Sequence, residues 1–170
     1  MKKIFILFFI FSISNASVID NVVKEEQKFG EWTINCTEDV MFGNKHCKIW
    51  TDFYDTTSKI FVQPNNKNAN QVVFILPKAI ENGVVMVRVD KNAIINSDPV
   101  DKKNKYGIVP FSPKKQKTLL QQMKAGNEML IRFNINNSRE IGGIQEITTK
   151  ISLLDFNKMI IYYNDNIRGN

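Results

Sequence analysis

The side chains most able to do chemistry lie between Phe29 and Trp50, FGEWTINCTEDVMFGNKHCKIW, which holds both cysteines, both tryptophans and the single histidine. Cys36 and Cys47 are candidates for redox work, His46 for a general base or pH sensor, and Trp32 and Trp50 for stacking on a ligand. Their spacing argues for a quieter role. The cysteines stand eleven positions apart, without the close pairing that lowers a thiolate pKa. With only one histidine beside them they fall short of a four-ligand zinc site. No Gly-x-Ser-x-Gly, phosphate-loop or His-Glu-x-x-His pattern occurs, so nucleophile, base and metal signatures are all missing. The acid pairs Glu25-Glu26 and Glu38-Asp39 read as solvated surface. No catalytic, cofactor or metal residue is expected, and the chain is not expected to be an enzyme.

The other feature with chemical potential is a bunching of cations. Lys102, Lys103 and Lys105 precede Pro110, and Lys114, Lys115 and Lys117 follow it. Folded together, these six ammonium groups form one basic end that attracts an anionic surface: lipid, lipopolysaccharide or an acidic envelope protein. The whole chain carries 23 Lys plus Arg against 17 Asp plus Glu. Without Lys2 and Lys3 the excess is +4, too small to argue for nucleic acid.

The elements that must position these groups are mostly strands. Trp32, Ile34 and Cys36 alternate with polar residues, and after the turn signal at Gly43-Asn44 the alternation resumes through Cys47, Ile49, Thr51 and Phe53. That is a hairpin, and a Cys36–Cys47 disulfide would fix its register. Trp32 is expected to pack on the disulfide, His46 to lie in the loop, and Trp50, out of phase with Cys47 and Ile49, to face the opposite side. Lys59–Val62, Gln71–Leu76, Val85–Val89 and Ala93–Ile95 follow as strands. Ser112-Pro113 opens a helix with Leu119, Leu120 and Met123 on one face and Ala125-Gly126 at its end. Met129 to Ile135 alternates again, and a last strand leads to Ile151. Ser152 and Asp155 suggest a capping box before a second helix bearing Leu153, Phe156, Ile160 and Tyr163. The pattern predicts a mainly β protein, an antiparallel β-sandwich of about seven to nine strands with one or two short helices.

The chain begins with Lys2 and Lys3, an apolar run from Ile4 to Ile13, and the small-residue site Ser14-Asn15-Ala16. This matches a cleaved export signal over 1–16 and is shorter than the roughly 20 residues a spanning helix needs. Residues 17–28 are expected to be a flexible leader, 29–164 one domain and 165–170 a tail. The protein is therefore expected outside the cytoplasm, without an integral membrane segment. In that setting two cysteines read as a disulfide.

Phe29, Gly30, Glu31, Trp32, Cys36 and Cys47 together resemble the opening of the invasion-associated locus B family of exported bacterial proteins. Weaker likeness continues at Ile75-Leu76-Pro77, at Gly83-Val84 and the valine strand to Asp90, at Leu119 to Gly126, and from Ser152 to Phe156. The resemblance implies a signal peptide, a compact β-rich domain, an alphaproteobacterial setting and a virulence association in one lineage, with no enzyme activity and no agreed ligand. The family's common second cysteine pair is missing near Tyr106–Pro110, which implies a single bridge and a looser middle. The expectation is an envelope binding or interaction module, periplasmic or outer-membrane associated, with inhibition of a periplasmic hydrolase as the alternative.

Overall fold

The computed structural model describes residues 22–39, 43–55, 57–63, 71–76, 83–100, 107–136 and 143–167. The expected signal peptide 1–16 lies outside them, as do residues 17–21 of the expected leader.

Ten strands form two antiparallel sheets among the described residues. One sheet has six strands in the order β1-β2-β3-β4-β5-β8, and the other has four in the order β10-β9-β6-β7. The first five run as a meander: β1 (Val22–Phe29), β2 (Trp32–Asp39), β3 (Asn44–Asp52), β4 (Lys59–Gln63) and β5 (Gln71–Ile75). The chain then crosses to the second sheet with β6 (Met86–Val89) and β7 (Ile95–Asn96), and returns for β8 (Ile108–Val109). Helix α1 (Pro113–Ala125) leads to the long pair β9 (Glu128–Asn136) and β10 (Ile144–Ser152), and α2 (Phe156–Ile167) follows. The sandwich expected from alternation is what forms.

Alternation decides which side chains go inside. Ile34 and Cys36 on β2, Ile49 on β3, Ile60 and Val62 on β4, and Val72 and Phe74 on β5 are all nearly inaccessible. They meet Val87, Val89, Met129, Ile131 and Phe133 of the other sheet, the interdigitation of two inner faces expected of a sandwich. Phe53 joins the layers through edge-on contacts with Phe74 at 6.3 Å and Phe133 at 6.0 Å between ring centroids. Leu119, Leu120 and Met123 of α1 and Phe156, Met159 and Ile160 of α2 complete the core.

The hairpin is as the spacing implied. Cys36 and Cys47 are direct partners across β2 and β3 and form a disulfide with 4.1 Å between Cα atoms. His46 is a strand residue on the exposed face of β3 rather than a loop residue, because the pairing runs out to Asp39 and Asn44. Trp50 does face outward, half-buried opposite Thr33 and Phe61.

Four expectations need correction. Residues 22–28 are not a leader but most of β1, paired with β2 over its whole length, and α2 extends past 164 to Ile167. Trp32 does not rest on the disulfide, since four residues along a strand separate Trp32 from Cys36 by about 13 Å; its ring meets Phe156 at 4.7 Å. Ser112 is the N-cap of α1 and Pro113 its first residue, as expected, although the serine makes no side-chain capping bond. Ser152 and Asp155 form no capping box, because Ser152 ends β10 and α2 begins only at Phe156.

The middle of the chain is anchored without a second disulfide. Leu76 N donates to Gly107 O at 3.0 Å, and β8 pairs with β5 through Ile108 and Val109. Gly107 adopts φ +63°, and a Cβ there would sit 2.2 Å from Leu76 O. Gly43 also has positive φ but faces open space. Gly107→Ala should therefore lower the denaturation midpoint far more than Gly43→Ala, whose cost is limited to about 1–2 kcal/mol of backbone strain. Replacing both cysteines by alanine should cost about 2–4 kcal/mol, the chain-entropy scale for so short a loop. Urea unfolding at one pH would test both.

Candidate functional site

The motif at the first turn proves to be a clasp. Phe29 and Trp32 close the β1–β2 pairing, and Gly30 turns the chain with φ +60°. Glu31 then accepts a 2.8 Å bond from Ser152 N, while Trp32 Nε1 donates to Ser152 O at 3.0 Å. Both backbone polar groups of one residue at the end of β10 are thus held by two adjacent side chains 121 and 120 positions earlier. The indole is 1% exposed, so the bond satisfies a donor that would otherwise be buried unpaired. Thr149 Oγ1 reinforces the same seam by donating to Phe53 O.

Helix α2 is held from the other side. Phe29 and Tyr162 rings lie 5.5 Å apart, and Tyr162 donates its hydroxyl to Glu25 at 2.5 Å. Lys45 reaches the same carboxylate at 3.1 Å. The hydrogen bond from Tyr162, followed by that from Lys45 and its charge, holds Glu25 below the ordinary carboxylate value. The bond to Glu25, followed by burial, raises the Tyr162 phenol. One member of an acid pair expected to be merely solvated therefore fastens a helix.

Cys36 is 2% exposed and committed to the disulfide, and His46 is exposed on its strand. No group of three or more metal-ligating side chains gathers among the described residues, and no helix among them is long and apolar enough to cross a membrane.

The expected basic end divides. Lys102, Lys103 and Lys105 lie outside the described residues. Lys114 and Lys117 are exposed, whereas Lys115 is bound to Asp98 at 2.5 Å. The arrangement is local: Asp98 N donates to Pro110 O at 2.8 Å, bringing both described flanks of the 101–106 segment close to the start of α1. The first turn of α1 has no acidic residue, so Lys114 adds to the positive end of the helix dipole, where a cation costs about 0.3–1 kcal/mol, and Lys117 follows in the next turn. Helix stability does not account for their placement.

A second feature escaped the sequence reading. On the outer face of the four-stranded sheet, Met86, Arg88, Ile94, Leu130, Arg132 and Thr148 border a recess of about 180 Å³. Arg88 and Arg132 are 44 positions apart, and only the β6–β9 register brings them together.

These features describe a disulfide-pinned antiparallel sandwich closed by two helices. No family model and no curated protein matches the chain. Among solved structures it is similar to invasion associated protein B from Bartonella henselae, with a TM-score of 0.60 and 17% identity over 86% of this chain and 99% of that one. The likeness is one of fold.

The clasp and the α2 fastening give separate tests. Trp32→Ala should cost about 3–5 kcal/mol through the lost ring contact and cavity. Tyr162→Phe should cost less than about 1 kcal/mol, because the pair lies near the surface. A carboxylate held low contributes above about pH 4.3 and loses that contribution as pH falls through its folded value; a phenol held high contributes below about pH 10 and loses it on the alkaline side. The stability gap between wild type and Tyr162→Phe should therefore be widest near neutrality and narrow toward both extremes in a series of thermal melts.

Proposed function

We propose that the chain is an exported, non-enzymatic binding module of the bacterial envelope, periplasmic or outer-membrane associated, that meets an anionic surface through the basic end at the start of α1. The observation that carries this reading is the fold likeness to an invasion-associated protein over 86% of this chain, in a chain whose two cysteines and Trp32 are committed to structure. The export-type leader supports the compartment. The unbalanced positive charge at a helix N-terminus supports the sign of the partner, since such charge persists at a cost to the helix. Lys115 takes no part in recognition, being neutralised by Asp98; Lys114 and Lys117 are the described residues that do, alongside Lys102, Lys103 and Lys105.

Lysines at an anionic lipid surface contribute about 1 kcal/mol each, so Lys114→Glu with Lys117→Glu should weaken association with vesicles containing anionic lipid by more than about 30-fold. The melting temperature should stay close to wild type. Raising salt from 0.1 to 1 M should have a similar effect, because the Debye length contracts from about 10 Å to about 3 Å. Cosedimentation measures both. Undiminished binding by the double variant would overturn the basic end as the contact. Crosslinking in the native envelope would identify the partner, and recovery of a hydrolase there would favour an inhibitor instead.

A further inference from the structure

We infer that the recess on the outer face of the four-stranded sheet binds the C-terminal residue of a partner polypeptide, its carboxylate on Arg88 and Arg132 and its apolar side chain on Met86, Leu130 and Ile94. The site is independent of the basic end on α1. Its layout follows from register. Met86 is directly opposite Arg132, and Arg88 directly opposite Leu130. Opposite residues share a face, so the two arginines occupy one diagonal of a square and the two apolar residues the other. Diagonal neighbours stand about 7–8 Å apart, within the span over which two guanidinium side chains converge on one carboxylate. Ile94, 55% exposed, forms an apolar rim.

The charges are available. Arg88 is exposed and makes no ion pair among the described residues. Arg132 donates from Nε to Thr148 Oγ1 at 3.2 Å, and the same Nε lies 3.5 Å from Glu146 Oε1. Neither contact occupies its terminal Nη groups, which present the fork geometry that fits a carboxylate. Next to Leu130 stands Lys150, itself bound to Glu128 at 2.5 Å. An anion entering the recess therefore finds positive charge on an apolar floor, the combination that selects an amphiphilic carboxylate.

Size and charge narrow the ligand. A cavity of about 150 Å³ accepts a benzene-sized group, so about 180 Å³ covers one apolar side chain and leaves most of a long acyl chain in water. A free amino acid would bring an ammonium group against Arg88 and Arg132. An acylated nitrogen carries no charge, and an acylated amino acid with a free carboxylate is the end of a polypeptide.

The test is titration with N-acetyl-leucine, N-acetyl-leucinamide and decanoate, followed through the methyl NMR signals of Met86 and Ile94. N-acetyl-leucine should shift both signals saturably, and the amide should bind at least tenfold more weakly. Arg88→Gln with Arg132→Gln should weaken N-acetyl-leucine at least tenfold without moving the melting temperature. If that variant fails to fold, Ile94→Glu on the exposed rim decides, since its carboxylate should repel the ligand to a similar degree. Equal binding of the amide, wild-type affinity in the folded variant, or no saturation with N-acetyl-leucine overturns the proposal. Decanoate binding tenfold tighter than N-acetyl-leucine also overturns it, because the recess would then be a lipid-tail site.

Discussion

Everything in this domain depends on how residue 152 is held. An antiparallel sandwich buries its inner faces only if its two sheets are kept in a fixed relation, and the hydrogen bonds within each sheet do nothing to fix it. Here Glu31 and Trp32 grip the amide and carbonyl of Ser152, joining the first turn of one sheet to the last strand of the other. Once that point is set, Trp32 lies against Phe156 and α2 covers the open end of the core. A charge-assisted bond and a buried indole bond do together what neither would do alone, since each removes freedom that the other would have to overcome.

This gives the Phe29–Trp32 motif a physical explanation. Phenylalanine meets Tyr162, glycine supplies the left-handed turn, glutamate takes the amide, and tryptophan fills the core while bonding the carbonyl. Each residue type is needed for a different structural reason. The most specific signal in the sequence is therefore a signal of architecture.

Much of the frame was legible because burial imposes a period. The β2–β3 hairpin, β5, β9 and both helices announced themselves through alternation or a one-sided apolar face. β1 did not, for a definite reason: the positions on its core-side face are Glu25, Gln27 and Phe29, of which the first two stay exposed at the edge, with Tyr162 beside Glu25 and Phe29. Such an edge strand has no apolar alternation to display. β8 is only two residues long, too short for any period. Ser112 and Pro113 marked the start of α1 correctly, whereas Ser152 misled as a cap because it ends β10 and its hydroxyl accepts from Leu154 N. For the surfaces, lysines close in sequence could be noticed as a group, although the partner of Lys115 could not. The arginine recess was invisible, since only strand pairing makes Arg88 and Arg132 neighbours.

The two devices that organise the core differ greatly in reach along the chain. The disulfide spans 11 positions and the clasp spans 120. Chains are made from the N-terminus onward, so all residues of the hairpin are present long before Ser152 exists. Until then Trp32 has neither its acceptor nor its aromatic neighbour. The β2–β3 hairpin can thus pair through most of synthesis while the core behind it stays uncapped, and the interior closes only when Ser152 and the helix after it arrive. Chain shortening is correspondingly asymmetric: loss of the final helix and its approach would leave the disulfide intact and the interior open.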